Sequence, residues 1–291
     1  MALKAMGVKV IDFTGGEPLL HRDIASFFAL AHSMGFITTL TTNGLLYPKR
    51  ANALAGKVDM LHFSLDAATA SAHDKSRGVP CFDKVMESIE IALALGEQPD
   101  ILFTFSDENA HEAQAIYQTI CKPKNLMLIL NPMFTYGPLK NPMVSSKTLA
   151  VMEKLAKNKG VYMNEGFAEL IRQGGNDKNK PVCKAGHTTV VISPKDCLIL
   201  PCYHAGLNEF LINGNLQELW NSQIVLSERK KAGYLQICQG CTVNCYMQPS
   251  MATYLNHFFW LALPSTIKYN YQKGTWRRLL AKPYKLNQPT P

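Results

Sequence analysis

The sequence predicts an α/β fold, a parallel sheet covered by helices. Three observations predict it. Short apolar runs rich in Val, Ile, Leu and Phe alternate with helix-spaced segments through the first half of the chain. The runs are continuously apolar, as strands buried on both faces are. Turn residues such as Asn43-Gly44 close the runs at regular intervals.

Each element has its own reason. Val8–Thr14 is an apolar run ending in two glycines. Asp23–Met34 carries Ile24, Phe27, Phe28, Ala31 and Met34 at helical spacing, with Asp23 as the expected cap. Phe36–Thr41 and Met60–Leu65 read as strands, with a short helix around Lys49–Ala55 between them. Phe82–Leu95 is a helix stopped by Gly96, Ile101–Phe105 a strand, Glu108–Ile120 a helix and Leu126–Leu130 a strand. Ser146–Asn158 is a helix with Ser145 as its cap, and a short strand follows near Val161. Repeated strand–helix units imply either an open sheet or a partial barrel. In both, ligands gather at the carboxyl ends of the strands.

The pattern changes at "RQGGNDKNKPVC", Arg172–Cys183, a polar, Gly-rich stretch that reads as a domain boundary. Beyond it "HTTVVISPKDCLILPC" reads as a β-hairpin turning at Pro194–Asp196. A helical stretch over Leu216–Lys230 leads to "CQGCTVNC", Cys238–Cys245. The segments are therefore 1–172, 173–250 and a tail over 251–291, aromatic first and then basic.

Composition bounds the function. A chain of 291 residues supports one sizeable core, or a core with a satellite domain. Its 47% hydrophobic and 18% charged residues exclude collagen, coiled coil and wholesale disorder. The net charge of +8 belongs to the C-terminal region. No Asp or Glu occurs from Arg229 to Pro291, where nine basic residues lie, so the first 228 residues carry 21 basic and 22 acidic side chains. Such a block suits an anionic partner or a solvated tail. "YLNHFFWLALP" ahead of the basic run has the make-up of a peripheral membrane contact, while "FFWLALP" is too short to span a bilayer. Aromatic and basic residues are segregated rather than interleaved, which disfavours nucleic acid.

Six of the eight cysteines fall between Cys183 and Cys245. The opening "MALKAMGVKV" lacks the features of a signal peptide, so a cytoplasmic protein is expected. Clustered cysteines there point to metal rather than disulfides. Soft thiolates in a C-x2-C pair suit iron–sulfur or zinc. Cys81 and Cys121 read as buried apolar residues.

The first strand exits through "TGGEPLL". Gly15 and Gly16 let the backbone turn sharply and approach a ligand, Glu17 adds a carboxylate, and Pro18 stiffens the exit. This suits an ammonium group and not a phosphate, although a plain strand–turn–helix corner would use the same residues. "TTNG" ends the second strand and "FSLDA" the third, with "HDKSRG" after it. Asn43, Ser64, Asp66 and Arg77 thereby fall where a pocket would open, each also a plausible turn former.

Taken together and in order, "TGGEPLL", "TTNG" and "SLDA…HDKSRG" resemble radical S-adenosylmethionine (radical SAM) enzymes over roughly Met1 to Lys140. The resemblance implies a partial (β/α)6 barrel in which Gly15, Gly16, Glu17 and Pro18 seat the amino group of S-adenosylmethionine. It places Asn43, Ser64, Asp66 and Arg77 near the rest of the cofactor, Arg77 as a partner for its carboxylate. The second half is similar to the SPASM/twitch extension of such enzymes, where a β-hairpin and a cysteine cluster hold an auxiliary 4Fe-4S cluster. Cys183, Cys202, Cys238, Cys241 and Cys245 are the implied ligands, one more than a four-iron cluster needs, with zinc as the alternative. Cys197 stands where the family often has the turn glycine. Tyr136 and Lys140, in "NPMFTYGPLK", are candidate substrate-loop residues.

The family's C-x3-C-x2-C loop normally precedes this motif. Only 14 residues precede Gly15 and none is Cys. "MALKAMGVKV" reads as the end of a first barrel helix, so the first strand and cluster loop are expected to be missing. The implied function is reductive cleavage of S-adenosylmethionine to a 5′-deoxyadenosyl radical and hydrogen abstraction from a small-molecule, lipid or peptide substrate, with an external electron donor. As written, the chain is expected to be an inactive fragment. The alternative is a cluster-less homologue serving as an iron–sulfur electron-transfer or scaffold protein.

Overall fold

The computed structural model describes residues 1–136, 144–206 and 208–276. Lys140, one of the two expected substrate-loop residues, lies outside them. Six strands form one parallel sheet in chain order: β1 (Val10–Phe13), β2 (Ile37–Thr42), β3 (Met60–Ser64), β4 (Asp100–Phe105), β5 (Met127–Pro132) and β6 (Val161–Tyr162). Two further strands, β7 (Cys197–Leu200) and β8 (Asn208–Leu211), pair antiparallel. The helices are α1 (Ala2–Ala5), α2 (Ile24–Ser33), α3 (Tyr47–Leu54), α4 (Ala70–Arg77), α5 (Phe82–Ala94), α6 (Glu112–Ile116), α7 (Ser146–Ala156), α8 (Glu165–Arg172), α9 (Ala185–Thr188), α10 (Leu216–Asn221), α11 (Gln223–Lys230), α12 (Asn244–Thr253) and α13 (His257–Lys273). Two compact units result. The sheet unit comprises residues 8–131, 154–162 and 267 onward; the cysteine unit comprises 1–7, 132–153 and 163–266.

In the sheet unit, Leu40, Phe63, Ile101, Phe103 and Leu128 are fully buried, with Phe28, Tyr47, Val85 and Ile89 from the helices also buried. The register sets Asp12 beside Thr39 and Thr41 beside His62, which in turn faces Asp100. Thr39 Oγ1 donates to Asp12 Oδ1, and Thr41 Oγ1 lies 3.3 Å from His62 Nδ1. Because side chains alternate along a strand, these polar groups share one face and the large apolar residues the other.

Several expectations about elements change. Asp23 stands at the start of α2, but its carboxylate pairs with Arg22 at 3.1 Å instead of capping. Residues 70–77, to which the sequence assigned no element, form α4, closed by Gly78 in the left-handed region. The expected helix over 108–120 is shorter: α6 runs into a π-helical turn at Tyr117–Cys121. Ser145 does cap α7, its Oγ accepting from Thr148 N at 3.3 Å. The hairpin is also different. The expected turn at 194–196 is present, with Ser193 N donating to Cys197 O at 2.8 Å, Ile199 N to Val191 O at 3.0 Å and Ile192 bridging Leu198 antiparallel, but residues 185–188 are helical and β7 pairs over its full length with β8. The stretch expected as one helix over 216–230 breaks at Ser222, which turns extended and accepts from Val225 N, capping α11.

The cysteine unit has two cores. One gathers Phe167, Leu170, Val243, Tyr246, Met247 and Met251. The other gathers Leu198, Leu200, Ile212, Leu216 and Val225, with Ala2, Leu3 and Met6 of the α1 segment packed on it.

A buried ionic group fastens the C-terminal half of α13 in the sheet unit. Asp100 and Lys273 side chains are 1% and 7% exposed and lie 2.9 Å apart. Tyr269 Oη donates to Asp100 Oδ2 at 2.8 Å, and His62 Nε2 is 3.5 Å from the same oxygen. Burial pushes the Tyr269 hydroxyl up and the His62 imidazole down, the latter against the pull of Asp100.

Removing one partner of this group leaves a buried charge. Lys273→Met should cost about 3–5 kcal/mol in urea unfolding, and adding Asp100→Asn should recover a large part of it. A second outcome concerns pH. Folded His62 resists the proton that the unfolded chain accepts near pH ~6.5, so its contribution is full above that value and is lost as pH falls. His62→Gln should flatten that acid slope in a pH series of thermal melts.

Candidate functional site

The exits of β1, β2 and β3 carry the first constellation. Gly15 has φ +135, a backbone that L side chains rarely adopt, and open space lies above its α-carbon. Glu17 follows and is held by three hydrogen bonds. Its Oε1 accepts from Leu19 N at 3.0 Å and Thr42 Oγ1 at 2.8 Å, and its Oε2 accepts from Asn43 N at 2.8 Å. The carboxylate thus ties the exit of β1 to the exit of β2. Of roughly four lone-pair directions, about one is left for a ligand. Pro18 opens the short 3-10 turn whose first amides Glu17 caps. Asn43 Oδ1 accepts from Leu45 N at 3.0 Å and shapes the turn after β2.

Ser64 closes β3. Just beyond, Asp66 receives the Arg77 guanidinium at 2.7 Å and Ser76 Oγ at 3.2 Å. Asp66 N donates to His73 Nδ1 at 3.1 Å. His73 is buried, and burial pushes its imidazole down, toward the neutral form that accepts this bond. Arg77 therefore enters the site already paired with Asp66. Asp74 caps α5 through Cys81 N and Phe82 N at 2.9 and 2.8 Å. Cys81 and Cys121 are buried, and burial raises both thiols.

The cysteine unit holds the second constellation. Cys183, Cys202, Cys238 and Cys241 line one cavity, together with Pro201, Gly233, Val243, Tyr246 and Met247. Cys245 and Cys197 are outside that lining; Cys245 is exposed. Burial pushes the Cys183 thiol up to about 12 and Cys241 to about 11, and raises Cys202. Neighbouring cysteines of the same set add to each rise. Backbone amides oppose it: Ala185 N–H is directed at Cys183, Val243 N–H at Cys241, and Ala205 N–H at Cys202 Sγ, 3.3 Å away. Amides aimed at sulfur stabilise thiolates, as a cluster site requires.

Four thiols lining one cavity, three of them with amides aimed at sulfur, fit a thiolate-bound metal centre, iron–sulfur or zinc.

Asn176 organises this cavity. It is fully buried. Its Nδ2 donates to Gly233 O at 2.9 Å and Cys238 O at 3.1 Å, and its Oδ1 accepts from Cys183 N at 3.1 Å. Its backbone bonds Cys241 O at 3.0 Å and Gly240 N at 2.8 Å. Gly233 has φ +87, and a Cβ there would meet Cys183 O at 2.8 Å. In the sequence Asn176 is one polar residue in a boundary loop, and nothing local marks it. Its side-chain partners lie 7 to 62 positions away.

Tyr136 belongs to an aromatic group beside Cys202. Its ring centroid is 4.7 Å from that of His204, which also meets Phe134, Tyr203 and Tyr246. Thr135 anchors the loop, its N–H donating to Thr242 Oγ1 at 2.8 Å and its carbonyl accepting from Thr242 N at 2.9 Å.

The six-stranded parallel sheet with helices, beside a small antiparallel hairpin and a four-thiol cavity in a second unit, makes this an α/β protein. Residues 1–120 match the family model for the radical SAM superfamily. A probable GTP 3′,8-cyclase of Saccharolobus solfataricus is 34% identical over 114 residues, 38% of this chain and 37% of that protein. Another, of Methanosarcina acetivorans, is 28% identical over 212 residues, 67% of this chain and 63% of that protein. The chain thus spans under two thirds of the length of these relatives. Among solved structures, anSMEcpe with bound AdoMet superposes with TM-score 0.56 at 15% identity, covering 95% of this chain and 82% of that one. SuiB of Streptococcus suis superposes with TM-score 0.59 at 15% identity, covering 85% and 64%. At that identity the likeness is one of fold. It supports the six-stranded parallel sheet with a small antiparallel hairpin.

Asn176→Ala should lower stability by about 2–4 kcal/mol, because two carbonyls and an amide lose their buried partner. Asn176→Asp should be no milder, since a carboxylate would face the Gly233 and Cys238 carbonyls. Chemical denaturation of each variant checks this.

Proposed function

We propose that this chain is a radical SAM enzyme of the type that carries a second, auxiliary 4Fe-4S cluster. The observation that carries the reading is the Glu17 brace across the β1 and β2 exits, within the segment that matches the superfamily. The backbone of Gly15, Gly16 and Pro18 would seat the amino group of S-adenosylmethionine, with Glu17 shaping that seat more than touching the ligand. Asn43 and Ser64 would border the nucleoside. Arg77, held by Asp66, would present its remaining guanidinium edge to the cofactor's carboxylate. The sheet would be the open wall of a partial (β/α)6 barrel.

Cys183, Cys202, Cys238 and Cys241 would hold the auxiliary cluster, and Cys245 would be the spare. When bound, the auxiliary cluster would supply electron transfer, while reductive cleavage of S-adenosylmethionine would need a further cluster, for which this sequence carries no C-x3-C-x2-C ligand set, and an external donor. What this chain contributes is position: a fixed turn for the cofactor and a dry thiol cavity for the cluster. Tyr136 and the loop to Lys140 would border a small-molecule, lipid or peptide substrate. SuiB and anSMEcpe have been solved with peptides, which supports the peptide class.

A second reading rests on the sequence itself, which contains no C-x3-C-x2-C triad. In that reading the chain is an iron–sulfur electron-transfer or scaffold protein. Anaerobic reconstitution with iron and sulfide tests both. About four irons per chain are expected, falling to about one or fewer in Ser variants of Cys183, Cys202, Cys238 or Cys241 and unchanged in Cys245→Ser. Uptake of one zinc in preference would overturn the cluster. Equilibrium binding of S-adenosylmethionine, weakened about tenfold or more by Arg77→Ala, supports the enzyme. No binding leaves the scaffold reading in its place.

A further inference from the structure

Four side chains of α4 are tied to its two neighbours in the sheet unit. Arg77 gives Asp66 two bonds, Nη2 to Oδ1 at 3.0 Å and Nε to Oδ2 at 2.7 Å. Ser76 Oγ adds a third, to Oδ2 at 3.2 Å. The backbone of Asp66 is held separately, its N–H donating to His73 Nδ1 at 3.1 Å. Asp66 is thus fixed at its amide and at its carboxylate by the same short helix. Asp74 Oδ1 fixes that helix in turn, accepting from Cys81 N and Phe82 N at the start of α5.

His73 is the one residue that α4 buries, at 1% exposure. An apolar side chain would fill that place at no polar cost, whereas a buried imidazole needs its bonds made. What the imidazole adds is an acceptor. A neutral ring accepts at one nitrogen and donates at the other, so an accepting Nδ1 leaves the proton on Nε2. Cys81 Sγ and an Asp74 oxygen lie within 4.8 Å of the ring's ligand atom. With Nδ1 taken and Nε2 protonated, the ring acts as a hydrogen-bonding group and not as a metal ligand. The Phe82 ring meets it edge-on, centroids 5.9 Å apart. Burial is the main influence on its further protonation and opposes it. Arg77 acts the same way, while Asp66 and Asp74 favour the proton.

We propose that His73 is a positioning residue whose Nδ1 acceptor sets the Asp66–Arg77 pair, and so the guanidinium edge that Arg77 offers a ligand. For the ligand it rests on the reading of Arg77 as the partner of the S-adenosylmethionine carboxylate. Of the side chains in this group, His73 is the one whose charge changes nearest neutral pH. A proton on Nδ1 sets N–H against N–H. The turn carrying Asp66 then loses its anchor, and Arg77 loses the geometry of its partner. Because the folded ring holds its proton weakly, the latch is closed at neutral pH and opens as pH falls below about 6.5.

The test follows Arg77 itself, by nitrogen-15 NMR of the full chain through a pH series. At neutral pH the His73 nitrogens should show a bare Nδ1 and a protonated Nε2. Arg77 Nε–H should be protected from solvent exchange, and should lose about tenfold or more of that protection in step with His73 protonation. In His73→Asn, whose Oδ1 replaces Nδ1 as the acceptor, protection should persist to lower pH. Binding of S-adenosylmethionine should be about fivefold or more weaker in His73→Leu and within about twofold of the parent in His73→Asn. The Asn variant should also lose the fall in affinity that follows the His73 titration. Loss of Arg77 protection at a pH unrelated to His73, or a protonated Nδ1 at neutral pH, overturns the proposal. Parent-like binding by a folded His73→Leu overturns it as well. If the parent binds no S-adenosylmethionine, the ligand reading fails, and the NMR series still decides the role of His73. If a variant does not fold, the parent series decides alone.

Discussion

Parallel strands cannot be joined by tight turns, and much of the sheet unit follows from that constraint. Each strand needs a crossover, so every strand exit falls on one edge of the sheet. The residues after β1, β2 and β3 are then neighbours although they are about 25 positions apart in sequence. Glu17 uses this placement. Its carboxylate spans two exits and satisfies amides that the strand-to-turn transitions leave without partners. A turn braced in this way holds its shape without a ligand, which is what preorganised binding requires.

The cysteine unit meets a different constraint. Of the four thiols that line the cavity, burial raises Cys183, Cys202 and Cys241 above the ordinary thiol range, yet a metal centre takes thiolates. Two features prepare the cavity for the deprotonated state. Amides are aimed at three of the sulfurs. Asn176 bonds the backbone at Cys183 and Cys238, and its own backbone bonds Cys241. The residual cost of burial is one that a bound cation removes, because its charge reverses the preference of each thiol.

How much of this was legible depends on the range of the interaction. The six strands and the cysteine cluster were visible because hydrophobic runs and C-x2-C spacing are local signals. Which of the five cysteines line the cavity was not, since Cys241 and Cys245 sit four residues apart and only the fold separates a lining thiol from an exposed one. Helix α4 was not assigned because its polar sequence has little apolar periodicity; its buried residue is His73 alone. The turn at 194–196 was legible because its residues are local, whereas the second partner of β7, the strand β8 beyond Pro201, was not. Asn176 and Lys273 act through polar contacts at long sequence range and left no local trace.

Lys273 also corrects the meaning of the basic C-terminal region. Counted from sequence, its nine cations form one anionic-partner signal. In the fold, Lys273 neutralises a carboxylate that is almost wholly buried, and Arg229 lies flat over the Trp220 ring at 3.8 Å. These two are structural: they fix helices, and their charge is spent on atoms of this chain. A count of charges along a sequence therefore overstates what is left for a partner, because a buried carboxylate or an aromatic face takes its share first.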